Sequence, residues 1–448
     1  MPSLARVRRA ATTWFAVESH PANLAVVRIT VFWILFDRLQ SGGFRRYARL
    51  PEELRFPPLG WETILWAFPL DETTVKAAQS AGVAVSFLAM VGLWTRPTAA
   101  LASLLGAYVL GSQYLFGKVD HTFHHVIWFG LLLAASPCGD ALSIDAWRAR
   151  RRGRPQPGPA RDYALPIRVM WLLMGVAYFF PGLFKLLAGP QWIWSENLRF
   201  MLYQSWRHHM VLPFLRLDQV PLLYQTAALA TILFELSFLL LVLSRRTRPL
   251  AAVGGLLFHT ATAYFLRIYF FELMLCYVVF VDWHALARRR GLAQDGAPAA
   301  RPEPSASAAA VVGSLLLAAN VACGAFGIDS WPFSVYPRFD TVRTEPTSVE
   351  VEAMLESEAG SQRLRLPLRG PMLGRIRRLP EGEPRARRLR ALAETVLSQR
   401  GALEPGQTLR IYASTYSTLP GDWNAPPLRR VLLFDYHADR HAEPRAQP

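Results

Sequence analysis

Charge is scarce in this chain and cysteine almost absent. Of its 448 residues only 18% are charged, while 52% are hydrophobic and 14 are Trp. A soluble domain carries roughly a quarter charged residues, so a water-soluble fold is excluded for most of the sequence. The three cysteines, Cys138, Cys276 and Cys323, are isolated, which leaves neither a CxxC redox pair nor a thiolate zinc site. The HExxH signature of zinc hydrolases is missing, and no internal repeat is present. No removable signal peptide is read either. Met1–Ala11 is basic, but the apolar stretch after it, Leu24–Phe36, contains Arg28 and lacks a small-residue cleavage site.

Long apolar runs are what the chain does have. They recur near Ala81–Leu93, Ala99–Leu115, Val126–Ala135, Leu172–Leu187, Tyr224–Leu243, Ala251–Leu266, Leu273–Val281 and Ala308–Phe326. Several approach the ~20 residues that cross a bilayer, and flanking residues can extend the shorter ones. The pattern predicts an all-α polytopic membrane bundle of about nine transmembrane helices, partnered by the lipid bilayer. The net charge of +16 does not point to nucleic acid. Its arginines cluster in short loops: Arg6/Arg8/Arg9, Arg96, Arg148 to Arg154, Arg245–Arg248 and Arg288–Arg290. Nine spans with a cytoplasmic N-terminus place every cluster inside, as the positive-inside rule requires. The expected location is therefore a cell (inner) membrane, with the C-terminal part extracytoplasmic.

Residues 1–290 form the expected transmembrane domain, 291–307 an Ala/Pro/Gly linker and 308–327 the last span. The segment Gly189–Leu222, rich in Trp, Pro and His, reads as a partly helical interfacial lid. Residues 341–448 are polar. Alternating runs at Ser348–Met354, Arg363–Leu368, Leu409–Tyr416 and Arg430–Tyr436 predict strands, and Arg385–Gln399 an amphipathic helix. Together they predict a small C-terminal α+β domain outside the membrane.

Ionisable groups at membrane depth are costly and are usually kept for function. In this topology His124 and His125 lie one turn below the outer surface on the fourth span. Lys185 lies near the outer end of the fifth and His259 in the outer half of the seventh, while Glu272 opens the eighth. Four helices thus bring candidate groups to one depth. A lysine in an apolar wall, with no carboxylate near it, loses the hydration of its charged form, so a neutral amine becomes available as a base. Imidazoles beside it can donate to a developing oxyanion. The structural alternatives are a lysine snorkelling to the interface and histidines that only bond neighbouring helices. His121 is spaced to share a helix face with His125 or with His124, as metal ligands would be, but zinc sites want a third ligand and often a glutamate base, and no metal is expected. Arg28 reads as an intramembrane structural group that pairs with a carboxylate or with carbonyls. Glu235, mid-span, is its expected partner or else a proton-relay group.

Several short motifs in order carry a family resemblance. Pro21-Ala22-Asn23-Leu24-Ala25-Val26-Val27-Arg28-Ile29, Phe68-Pro69-Leu70-Asp71, Thr122-Phe123-His124-His125-Val126-Ile127-Trp128-Phe129-Gly130, Tyr178-Phe179-Phe180-Pro181-Gly182-Leu183-Phe184-Lys185-Leu186 with Trp192, and Phe258-His259 resemble the HTTM (horizontally transferred transmembrane) family. That family includes the vitamin K-dependent gamma-glutamyl carboxylases. The resemblance covers roughly residues 18 to 290. His125 matches the family's essential histidine and Lys185 its proposed base. His124 stands where the animal enzymes carry asparagine. The part after Phe339 is far smaller than the animal enzymes' lumenal portion.

The resemblance implies an enzyme in which a lysine amine deprotonates a reduced naphthoquinone of the vitamin K or menaquinol type. Oxygen then reacts, a strong base forms, and a glutamate γ-carbon is carboxylated. It implies Lys185 as base, with His125 and His124 supporting quinol oxygens. His259, Tyr178 and Trp192 would line the pocket, with Glu272 beside it. The protein partner would be a secreted or exported substrate. The alternatives are a quinone- or lipid-modifying membrane enzyme without a glutamate substrate, or a non-catalytic membrane accessory or binding protein.

Overall fold

The computed structural model describes residues 12–41, 43–292, 308–334, 339–368 and 370–436. The basic residues Arg6, Arg8 and Arg9, most of the expected 291–307 linker and the last twelve residues lie outside the described residues.

The membrane part is a helical bundle. Its elements are α1 (Pro21–Gln40), α2 (Glu72–Val91), α3 (Thr95–Gly111), α4 (His124–Ala134), α5 (Arg161–Leu187), α6 (Asn197–His209), α7 (Pro221–Leu243), α8 (Arg248–Leu266), α9 (Phe271–Cys276) and α10 (Ala308–Phe326). Local signals set several ends. Pro21 opens α1, and Asp71 caps α2 by accepting from the Thr74 N–H at 2.9 Å. Gly92, at φ +73°, closes α2 in the left-handed conformation that suits glycine.

Five described helices, α2, α5, α7, α8 and α10, are long and apolar enough to cross a membrane. The expectation of about nine spans is not met by that measure. The helix α1 carries Arg28, Asp37 and Arg38, α3 has 17 residues, α4 has 11, and α9 gives way to a 3-10 turn after six. These four still pack within the bundle core through Leu24, Val31, Val109, Val126, Phe129 and Leu273.

Glycine brings α5 and α7 together. A Cβ on Gly175 would sit 2.5 Å from Leu239, and one on Gly182 would sit 2.8 Å from the Glu235 Cβ and 3.1 Å from the Leu236 nitrogen. Only residues without a side chain let the two backbones approach this closely. The last helix, α10, returns to the bundle and meets α5 where Gly324 faces the ring of Phe180.

The C-terminal domain is a four-stranded antiparallel sheet in the order β2-β1-β3-β4, from β1 (Thr347–Ser357), β2 (Gly360–Leu364), β3 (Thr408–Ser417) and β4 (Arg429–Tyr436). Two helices, α11 (Gly370–Arg377) and α12 (Glu383–Arg400), complete it. Alternation along β1 buries Val351 and Ala353 in one core with Leu373, Ile376, Leu389, Leu392 and Val396 of the helices. The opposite face is polar. Glu352, 2% exposed, accepts from Tyr416 at 2.6 Å and pairs with Arg363 at 2.9 Å. Three of the expected strands and the expected helix form; the run expected at Arg363–Leu368 is strand only at residues 363–364, since β2 lies earlier, at Gly360–Leu364, and α11 is additional.

Candidate functional site: an apolar cavity around a buried ion pair

A cavity of about 120 Å³ opens between α4, α5, α6, α7 and α8. Its walls include Trp128, Met174, Leu198, Met201, Phe258, Leu266, Phe270 and Leu273. His125, Tyr178, Lys185, Trp192, Glu235 and His259 supply its polar groups.

Lys185 and Glu235 form the centre. The Lys185 Nζ donates to both carboxylate oxygens of Glu235, at 2.5 and 2.6 Å, and both side chains are buried. This corrects two expectations. Lys185 does not stand in a wall free of carboxylates, and Glu235 is not the partner of Arg28. Lys185 and Glu235 lie 50 residues apart, and the α5–α7 contact at Gly182 is what joins them. Arg28 instead donates to backbone carbonyls, at 2.6 Å to Cys138, 3.2 Å to Ala141 and 2.5 Å to Leu142. These bonds tie α1 to the turn after α4.

Around the pair, Trp192 places its ring 5.8 Å from the Lys185 Nζ, within cation–π range, and donates through Nε1 to the Phe339 carbonyl at 2.7 Å. Pro181 lies inside α5, one turn before Lys185. Lacking an N–H, it cannot make the helical bond to the Ala177 carbonyl, and Ala177 also lines the cavity.

The two facing histidines differ. His125 is 1% exposed, and its ring faces the Glu272 backbone without a well-formed hydrogen bond at either nitrogen among the described residues. His259 is bonded through Nε2 to the Tyr178 hydroxyl, which also meets the Tyr277 hydroxyl at 2.7 Å, while its Nδ1 has no partner among the described residues. A buried imidazole nitrogen without a partner is unusual. Here such nitrogens border a cavity.

Two expected site residues stand elsewhere. His124 turns away from the cavity: its Nε2 meets the Ser330 carbonyl at 3.3 Å, and its ring packs on His121 and Trp331. Adjacent residues on a helix point about 100° apart, so His124 and His125 cannot share one target. Glu272 pairs with Arg38 at 3.0 Å, across from Asp37 on α1, and does not line the cavity. Among the described residues no group of three or more His, Cys, Asp or Glu could hold a metal ion. Sequence reasoning missed Tyr277 and Phe339 at the site. Gly255 carried a signal for the first, since a Cβ there would overlap the Tyr277 hydroxyl at 1.9 Å.

Residues 17–284 match the HTTM domain, which is more than half of the chain. The chain belongs to the HTTM family. The matched segment runs from just before α1 to just beyond α9, so every cavity residue named above except Phe339 lies within the HTTM domain. The helix α10 and the C-terminal sheet follow it. No curated protein and no solved structure matches the chain.

That C-terminal sheet docks on the cavity's end of the bundle. Arg207, at the end of α6, pairs with Glu350 of β1 and stacks on Tyr416 of β3 at 4.3 Å. Arg387 of α12 meets Glu53 at 3.2 Å, and Arg388 lies over Phe56 at 4.4 Å. The Arg343 N–H donates to Asn197 at 2.9 Å, so the chain crosses close to Trp192 on its way out of the bundle.

Proposed function

We propose that this HTTM protein is a quinol-dependent membrane enzyme of the vitamin K-dependent carboxylase-like type. Its reaction is carboxylation of glutamate on an exported protein, and the Lys185–Glu235 pair is its acid–base centre. The observation that carries this reading is the placement of that pair in one apolar cavity with the unpartnered nitrogens of His125 and His259.

A reduced naphthoquinone fits these residues. Its flat apolar rings suit walls of Trp128, Phe258 and Phe270, and its two oxygens suit the orphan imidazole nitrogens. When bound, such a group supplies an acidic hydroxyl and a two-electron reductant for oxygen.

The residues divide the remaining work. Glu235 can take a proton from the Lys185 ammonium onto a carboxylate oxygen, leaving an amine and a carboxylic acid in contact. The amine nitrogen then accepts a proton from an acidic hydroxyl in the cavity, and the pair has gained one proton. This replaces a lone desolvated lysine with a two-residue proton store. His125 and His259 hold oxygens by hydrogen bonds, and Tyr178 orients His259. The apolar walls exclude water, which would otherwise quench a deprotonated carbon before it met CO2.

Sidedness supports an exported substrate. Arg96 and Arg150 line one cleft with Trp283 and His284, and Trp14 meets the Leu243 carbonyl beside Arg245 and Arg246. These basic loops thus share the end of the bundle opposite the cavity and the C-terminal sheet. With the basic end in the cytoplasm of an inner-membrane protein, the cavity and the sheet face outward.

The test is mass spectrometry of exported proteins incubated with the nanodisc-embedded protein, a reduced naphthoquinone, oxygen and CO2. A gain of one CO2 mass on glutamate, lost in Lys185→Met, supports the proposal. Co-purified quinone without that gain would instead support a quinone- or lipid-modifying enzyme. Absence of both would support a non-catalytic accessory protein.

A further inference from the structure

At the end of the bundle remote from the cavity, three arginines converge without an acidic partner among the described residues. Arg168 on α5 is 7% exposed, and its guanidinium lies 4.5 Å from the Trp14 ring centroid and 5.7 Å from that of Trp171. Arg248, the first residue of α8, stacks on the Trp171 ring at 3.8 Å. Arg168 and Arg245 both lie within electrostatic reach of Arg248. The only hydrogen bond from the Arg248 guanidinium goes through Nε to the Val242 carbonyl at 3.1 Å, among the described residues. Arg168 makes none there, and its Nη1 is buried without a partner.

This arrangement contrasts with the other buried charges of the protein. Arg28 donates through both Nη atoms to carbonyls, Lys185 is paired with Glu235, and Arg207 is paired with Glu350, although the Nε of Arg28 and of Arg207 meets no partner among the described residues. Each shows how the fold treats a cation it must bury. Stacking on tryptophan lowers the cost for a guanidinium but uses its face and leaves its N–H edge unmet. Two aromatic-braced guanidinium edges with a third arginine nearby are a fork suited to tetrahedral oxyanions. Trp171 is itself fixed, donating to the Val279 carbonyl at 3.0 Å and lying parallel to Phe280.

We infer that Arg168, Arg248 and Arg245, braced by Trp14 and Trp171, form a binding site for a phosphate-bearing anion at the membrane surface. Phosphate reaches this place either as the headgroup of an anionic phospholipid or as the free ion. Basic pockets between transmembrane helices at this depth bind lipid headgroups in the same way. The site is separate from the cavity, so it does not depend on what that cavity turns over.

The experiment uses full-length protein in detergent and follows bound lipid by native mass spectrometry and thermal stability. Additions are phosphatidylglycerol, phosphatidylcholine and inorganic phosphate, each tested alone. Phosphatidylglycerol is expected to bind and stabilise, and phosphatidylcholine much less. Removing two charges in Arg168→Gln/Arg248→Gln should weaken phosphatidylglycerol about thirtyfold, or ~2 kcal/mol at ~1 kcal/mol per arginine. Stabilisation by phosphatidylglycerol but not by inorganic phosphate assigns the lipid headgroup. Stabilisation by both assigns phosphate itself. Should the double variant fail to fold, Arg168→Gln alone is the second arm and should weaken phosphatidylglycerol about fivefold. Equal binding of both phospholipids by wild type, or full preference retained in a folded variant, would overturn the site.

Discussion

The Lys185 Nζ touches both carboxylate oxygens of Glu235, and the two helices that carry them are drawn together at Gly182, one turn from the lysine. An amine placed alone in an apolar wall could be removed without harm, and replacing it with methionine would be expected to stabilise the fold. The pair reverses that expectation. Lys185→Met leaves a buried carboxylate without its cation, and the cost of breaking such a pair is ~3–5 kcal/mol. Lys185→Met/Glu235→Leu removes both charges and should recover most of that loss. Thermal unfolding in detergent of the single and double variants checks this. Equal stability of wild type and Lys185→Met would contradict it.

Gly182→Ala tests how the pair is assembled. Alanine is the better helix former, so an exposed site would gain by the change. Here the new methyl would stand 2.8 Å from the Glu235 Cβ, with backbone just behind it. Overpacking of this kind costs ~1–3 kcal/mol, and the ion pair should lengthen. Stability and quinone retention are expected to fall together. A Gly182→Ala protein as stable as wild type would show that α7 shifts freely.

His125 and His124 should separate in function. His125→Ala removes orphan nitrogens bordering the cavity, so quinone retention is expected to weaken by ~1–3 kcal/mol with little change in stability. His124→Ala loses the contact to the Ser330 carbonyl and the packing on Trp331. It should lower thermal stability while leaving retention intact. Parallel retention assays and melting curves distinguish the two.

Much of this was legible in the sequence because it depends on local pattern. Apolar runs marked the helices, alternation marked β1, β3 and β4, and isolated charges in apolar runs marked Lys185, His125, His259 and Glu235. Pairing was not legible. Nothing local says that Glu235 meets Lys185 rather than Arg28, since that depends on which helix faces which. The seven-residue spacing of Gly175 and Gly182 was the available clue to the α5–α7 contact. His124 and Glu272 were grouped with the cavity because depth was known but helix rotation was not. Only five described helices are long and apolar enough to cross a membrane, because α1, α3, α4 and α9 reach the bundle core as shorter or more polar segments.

Attachment of the C-terminal sheet should depend on pH through Glu350. Burial alone would raise its carboxyl, but the hydrogen bond and charge of Arg207, with Arg363, hold it below its ordinary 4.5. A depressed folded value means the contact contributes fully above the unfolded value and is lost as pH falls through the folded one. Hydrogen exchange at β1 and the end of α6 is expected to be unchanged between about pH 7 and about pH 5 once corrected for intrinsic rates. Protection should fall on further acidification, and Glu350→Gln should remove that dependence. Protection that rises with acid would contradict this linkage.

The most direct measurement is oxygen-dependent oxidation of a reduced naphthoquinone by the protein in nanodiscs, comparing wild type with Lys185→Arg and Glu235→Gln. Arginine keeps the charge but cannot release a proton at accessible pH, and glutamine keeps the shape but cannot take one. Both variants are expected to lose ~10²–10⁴-fold in turnover, the scale of a missing general base, while still binding the quinone. Full turnover in either folded variant would contradict the role of the Lys185–Glu235 pair as the acid–base centre.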